Sequence, residues 1–184
     1  MIKLLKVQLE DAKIMLKIQK EALFLHLLVV LLKVQLEDAK IMLKIQKEAF
    51  KKYADKYGDF DTNPYHMSLH RMEFNIKYRF GQYYKIIDCD KNEIIGGIFG
   101  FELDSPEIMQ IAQFYLRSGY QSLGYGTEVL KYFISQNPQV KTWYVDTILQ
   151  EEYNLEFYKH LGFEIIDTEE EHEGLTFVTL MKKC

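Results

Sequence analysis

The chain has 184 residues, a net charge of -4, 48% hydrophobic residues and 14% aromatics. That balance supports a packed core and excludes a disordered or low-complexity chain, and the length fits one domain that buries about 70% of its unfolded surface. No basic run occurs, which argues against nucleic acid as a partner; the small acidic excess leans toward a cationic substrate.

The first feature in chain order is a duplication. Leu4–Ala22 and Leu31–Ala49 are identical over 19 residues at an offset of 27. Two units are too few for a solenoid, which needs about three or more. Each copy reads as a strand, Leu-Leu-Lys-Val-Gln-Leu, then Glu-Asp-Ala and a helix. In the second copy Ile41, Leu43, Ile45 and Ala49 supply most of a buried face, with Lys40, Lys44 and Lys47 in water. The apolar run from Ala22 to Leu32 lies between the copies. It is shorter than the ~20 residues that span a bilayer, and no small-residue cleavage pattern follows it. It is expected to be a buried or partner-covered element, with no membrane role. The second copy runs straight into the rest of the domain, so it closes the smaller loop. The expected organisation is a duplicated extension over residues 1–30 and one domain over residues 31–184. The first copy either packs on or exchanges with a second subunit, giving a homodimer, or is a loosely packed extension without chemistry.

The first helix should stop near Tyr57-Gly58, before a turn-rich loop from Asp59 to Pro64. Met67 to Arg79 reads as a second helix. Gln82 to Asp88 and Ile94 to Leu103 read as strands around the turn Asp90-Lys-Asn-Glu93. Ile108 to Leu116 is a strand, followed by a glycine-bearing loop and a helix from Thr127 to Ser135. Thr142 to Ile148 is a strand, and Glu152 to Leu161 a helix ended by Gly162. Phe163 to Asp167 and Leu175 to Met181 form a last hairpin around a glutamate-rich loop. This order predicts a mixed α/β sheet with helices on both faces.

The string Leu116-Arg-Ser-Gly-Tyr-Gln-Ser-Leu-Gly-Tyr-Gly-Thr127 links a strand to a helix start. Glycines at Gly124 and Gly126 let the backbone approach an anion, and the unpaired N–H groups of a first helical turn point at it. The spacing Gln121-x-x-Gly124-x-Gly126 resembles the acetyl-coenzyme A pyrophosphate loop of the GNAT superfamily of N-acetyltransferases. A second string, Glu156-Phe-Tyr-Lys-His-Leu-Gly-Phe163, is similar to a motif near the C-terminus of that family. The resemblance covers roughly residues 31–183.

The resemblance implies a mostly antiparallel sheet splayed at two parallel strands, here Ile108–Leu116 and Thr142–Ile148. Acetyl-coenzyme A would be the co-substrate, with no metal. Its pantetheine arm would pair near Phe114 and Leu116, and its pyrophosphate would sit on the main chain of Gln121, Ser122, Leu123, Gly124, Tyr125, Gly126 and Thr127. Leu123 departs from the basic residue common before that glycine. Tyr158 would be the general acid, protonating the departing thiolate. Asn154, one turn earlier, would touch the cofactor arm, although the family's asparagine site falls on Glu151.

The family's strand glutamate, the base in some members, falls on Gln110, which cannot take a proton. Glu102 or Asp104 is the expected substitute, acting through water. Tyr65, His66 and His70 are candidates for the acceptor pocket, and the acidic run Asp167 to Glu173 for a cation-attracting surface. The acceptor would be a small-molecule amine or polyamine, or a protein amine. Cys89 and Cys184 form no ligand-spaced cluster, which fits a cytoplasmic protein and argues against an acyl-cysteine route. The alternative readings are a non-catalytic acyl-coenzyme A-binding sensor or regulatory module, and an interaction protein built on the duplication.

Overall fold

The computed structural model describes residues 29–184. The first copy of the duplication lies outside the described residues, as does the expected subunit contact through it.

The chain runs β1 (Val29–Lys33), α1 (Ala39–Tyr57), α2 (Leu69–Lys77), β2 (Gly81–Asp88), β3 (Glu93–Glu102) and β4 (Ile108–Leu116). It continues with α3 (Tyr125–Ser135), β5 (Thr142–Ile148), α4 (Glu152–His160), β6 (Glu164–His172) and β7 (Leu175–Lys183). The second copy therefore forms β1 and most of α1. β1 begins at Val29, ahead of the expected boundary at 31, because β-branched Val29 and Val30 pair with Asp88 and Ile87. The strand stops at Lys33, where the Gln35 N–H donates to Asp38 Oδ2 at 2.8 Å and the chain turns into α1. Lys85 Nζ of β2 donates to both Asp38 oxygens at 2.7 Å, tying that turn to the sheet.

The face of α1 differs from the periodicity reading. Met42, Ile45 and Gln46 are buried, and Ile41 is 36% exposed. Polar Gln46 is tolerated inside because its Nε2 donates to the Pro64 carbonyl at 2.9 Å. Gly58 ends α1 in the left-handed conformation at φ 62°, and the Ser68 hydroxyl caps α2 by accepting from the Arg71 N–H.

The seven strands lie in the order β1-β2-β3-β4-β5-β7-β6. Every neighbouring pair is antiparallel except β4 and β5. Those two pair only from Ile108↔Thr142 to Ile111↔Val145. Beyond that point β4 continues along β3 to Leu116, and β5 continues along β7 to Ile148. The sheet therefore opens into a gap. At its start the β3 register jumps from Phe99↔Gln113 to Gly100↔Ile111, leaving Ala112 as an extra residue in β4. A bulge of this kind bends the strand and re-aims its side chains.

Helices cover both faces. Under α3 and α4 lie Met109, Ile111, Leu130, Phe133, Trp143 and Leu180. Under α1 and α2 lie Met42, Ile45, Met72, Tyr83, Phe99 and Tyr115. Gly97 is required in the second layer, since a Cβ there would stand 2.6 Å from Met42 Cε and 2.8 Å from Tyr115 Oη. The glutamate-rich segment is a strand rather than a loop. β6 carries it as a fully exposed edge, paired with β7, and the turn falls at Glu173-Gly174. Charged side chains on such an edge discourage pairing with another sheet.

Candidate active site

The gap between β4 and β5 opens a cleft of about 720 Å³ that passes between the two faces of the sheet. Ala112 to Leu116 form one lip, and Val145 to Ile148 the other. The start of α3, the first half of α4, and α1 with its following loop complete the walls.

The loop between β4 and α3 is held by its own side chains. Gln121 Nε2 donates to the Leu116 carbonyl at 2.8 Å. Ser122 takes φ 60° and Gly124 φ 86°, both left-handed. Gly124 then caps α3, and no side chain satisfies the first-turn donors. Among the described residues the N–H groups of Tyr125, Gly126 and Thr127 have no acceptor. Three open amides at a positive helix end form a cradle for an anion. At Gly126 a Cβ would stand 3.2 Å from the Phe157 ring, so the bare backbone keeps the cleft open.

Of the expected cofactor residues, Phe114, Leu116, Gln121, Ser122, Gly124, Gly126, Thr127 and Asn154 line the cleft. Leu123 and Tyr125 do not: Leu123 is 58% exposed, and the Tyr125 ring packs edge-on against Tyr120. Tyr158 lies in the wall, buried against Phe157 and Phe163. Among the described residues its hydroxyl has no hydrogen-bond partner. Burial, with a smaller contribution from Tyr53, pushes this phenol well above its ordinary value.

α1 and α4 reach each other across the open end of the gap. Asn154 Nδ2 donates to Tyr53 Oη at 3.2 Å. Glu151 Oε1 accepts from Lys56 Nζ at 2.8 Å and from Tyr57 Oη at 2.7 Å. Burial alone would raise the Glu151 carboxyl, but these two donors outweigh it and hold the group below its ordinary value. The residue at the family's asparagine site thus ties the two helices together.

The acceptor side departs from expectation. Glu102 ends β3 opposite Met109 and does not line the cleft; Asp104 is exposed in the next turn. Tyr65, His66 and His70 also lie outside it, since the loop turns them outward. Lys47 and Lys51 sit over the Tyr65 ring, His66 packs on Phe60, and His70 is exposed on α2. The loop contributes Asp59, Thr62, Asn63 and Pro64 instead.

Asp146 is a cleft residue that sequence reasoning misses, although a lone carboxylate in the apolar run Thr-Trp-Tyr-Val-Asp-Thr-Ile is a visible signal. Its Oδ2 accepts from Gln110 Nε2 at 2.8 Å and its Oδ1 from Thr179 Oγ1 at 2.7 Å. Behind the β4 lip, buried Tyr83 and Tyr115 share a 2.8 Å hydrogen bond, with Gln46 and Gln113 at its margin. Among the described residues no group of three or more His, Cys, Asp or Glu side chains could hold a metal, and no helix is long and apolar enough to cross a membrane.

The chain matches the model of the Acetyltransferase (GNAT) family over residues 43–163, and it belongs to that family. No curated protein matches it. Among solved structures, the ribosomal-protein-S18-alanine N-acetyltransferase from Escherichia coli is similar at a TM-score of 0.67 and 12% identity, covering 84% of this chain and 93% of its own. The spermidine N-acetyltransferase from Vibrio cholerae, in complex with CoA and spermine, gives 0.67 and 13%, covering 84% and 95%. An acetyltransferase from Thermus thermophilus gives 0.65 and 13%, covering 85% and 97%. At these identities the likeness shows the fold.

Proposed function

We propose that the protein transfers the acetyl group of acetyl-coenzyme A to a primary amine by direct attack within a ternary complex. The observation that carries this reading is the open amide cradle at Tyr125, Gly126 and Thr127, leading into a gap in the sheet with the free Tyr158 hydroxyl in its wall. The diphosphate sits on the cradle, and the arm runs along the Phe114–Leu116 lip past Asn154. Acetyl-coenzyme A is a substrate, consumed in each turnover.

The bulge residue Ala112 lines the cleft and is left out of the β3 ladder. Its amide is the donor for the carbonyl oxygen that gains charge during attack. Tyr158 gives its proton to the sulfur as the carbon–sulfur bond breaks. Neither Cys89 nor Cys184 lines the cleft, which supports direct attack over an acyl-cysteine intermediate.

Asp167, Glu169 and Glu171 of β6 face the cleft, and they favour a cationic acceptor. A small amine or polyamine is the first choice, with a protein amine as the alternative; the Vibrio and Escherichia coli proteins named above act on one of each kind. We place the protein in the cytoplasm on its free cysteines, and we retain a homodimer through the N-terminal duplication as a proposal. The sensor reading draws on Gln110, which replaces a base with an amide. Turnover of acetyl-coenzyme A with putrescine, spermidine, benzylamine and a peptide bearing a free alanine N-terminus tests the enzyme; coenzyme binding without turnover on any of them supports the sensor.

A further inference from the structure

We infer that Asp146 takes the proton from the acceptor's ammonium group, supplying from β5 the carboxylate that Gln110 of β4 lacks. The inference rests on the acetyl-transfer reading and deepens it.

Three observations converge on this residue. Asp146 is the first residue of β5 beyond the last β4–β5 pair, so it stands where the sheet opens. Its neighbours Trp143 and Val145 are buried beneath α3 and α4, and strand alternation turns Asp146 to the opposite face, toward α1 and its loop. Gln110 shares that face, because Met109 and Ile111 point into the same core as Trp143. The two side chains meet at 2.8 Å, so a carboxylate on either strand would reach the same point.

Each Asp146 oxygen accepts one neutral donor, Gln110 Nε2 or Thr179 Oγ1. Two donors fix the plane of the group, and each oxygen keeps a lone pair for the ammonium. The other cleft carboxylates are placed for different work. Asp59 is buried and accepts from the Thr62 N–H at 2.9 Å and hydroxyl at 2.6 Å, closing its own loop. Asp146 is itself exposed, but Asp167, Glu169 and Glu171 stand on β6, the outermost strand, away from the point where β4 and β5 part. From α1, Lys52 and Tyr53 face the same cleft, and from α4, Tyr153 and Tyr158.

The N–H bond of the ammonium breaks and an O–H bond forms on Asp146. The freed lone pair attacks the thioester carbon, and the carbon–sulfur electrons leave with sulfur, which takes the Tyr158 proton. The nitrogen's second proton returns through water to the Tyr158 phenolate, and Asp146 releases its proton to solvent. An ammonium and a thioester give an amide, a thiol and one proton.

The test uses full-length Asp146→Asn, with kcat and KM measured from pH 6.5 to 10 on the best acceptor of the four-amine panel. General-base loss predicts a fall in kcat/KM of roughly 10²–10³-fold at pH 7. The deficit should shrink as pH nears the acceptor's own pKa, about 10 for an alkyl ammonium and about 8 for a peptide N-terminus, where free amine no longer needs a base. The coenzyme A dissociation constant by calorimetry should stay within about twofold of wild type, since a base acts in the chemical step. The exchanged pair Gln110→Glu/Asp146→Gln should recover at least about tenfold over Asp146→Asn at pH 7; it also serves if the single variant fails to fold. Wild-type kcat/KM in Asp146→Asn at pH 7 overturns the inference, as does a deficit constant across pH or an inactive, folded exchanged pair. If wild type turns over none of the four amines, the acetyl-transfer reading itself fails, and this inference with it.

Discussion

Tyr158 combines burial with a hydroxyl that has no partner among the described residues. Burial holds the phenol protonated well above neutral pH, as the proposed acid role requires. Tyr158→Phe should lower kcat by roughly 10²–10³-fold, with coenzyme A affinity nearly unchanged; steady-state kinetics and calorimetry check the two halves separately. Tyr83 and Tyr115 have a structural role. Their shared hydrogen bond lies in a buried layer, and burial holds both phenols in the neutral form. Tyr115→Phe leaves the Tyr83 hydroxyl with only its long contacts to Gln46 and Gln113, and should cost about 1–3 kcal/mol in denaturant unfolding. Gly124 and Tyr158 are singled out in the sequence by their chemistry and spacing, and both fall in the walls of the cleft. Asp146 is not, because its contact with Gln110 at the point where the sheet begins to open depends on a strand pairing that no local pattern reveals. Glu102 ends β3 opposite Met109, and its strand carries it away from the cleft.

Among the elements, the start of α3 and the tie between α1 and α4 border the cleft. Gly126→Val would push a branched side chain toward the Phe157 ring and beneath the diphosphate. Coenzyme A binding should weaken at least about tenfold, or about 1.4 kcal/mol, with little change in melting temperature. The Glu151 tie carries a pH signature. Its carboxyl is held below its ordinary value in the fold. The stability it adds is therefore present above the unfolded carboxylate pKa of about 4.3 and is lost as pH falls through the folded value. Glu151→Gln should flatten the acid side of the stability-versus-pH curve below about pH 4.5, read by thermal melts in a pH series. β4 and β5 are legible end to end, because apolar runs bounded by turns leave little freedom. The face of α1 is less legible. The lysine-spaced pattern admits two neighbouring stripes, and buried Gln46 selects the one through Met42. The second half of β6, past Asp167, reads as a loop in the sequence because an acidic, exposed strand shows none of the alternation that marks a half-buried one.

At the scale of the whole molecule, a sheet held together by four residue pairs between β4 and β5 is divided into two halves by the cleft that opens beyond them. Helices on both faces, and the Tyr53–Asn154 and Glu151 contacts, hold the halves around that opening. All seven strands lie within residues 29–184. Deleting residues 1–28 should therefore leave coenzyme A affinity within about twofold and shift the melting temperature by no more than ~4 °C. A change in oligomeric state on the same deletion would locate the subunit contact in the duplicated segment. The family and the order of elements along the chain are legible because two motifs fix the ends of one strand–helix–strand–helix unit. The depth of the splay is not, since it depends on a bulge at Ala112 that the sequence does not announce. Every step of the proposed chemistry depends on the diphosphate resting on the first turn of α3. Calorimetric titration of coenzyme A into the full chain and into Gly126→Val should give a dissociation constant in the micromolar range for the first, about 8 kcal/mol of binding free energy, and one at least about tenfold weaker for the second. Absence of binding to the folded full chain, or equal affinity for the two proteins, would contradict it.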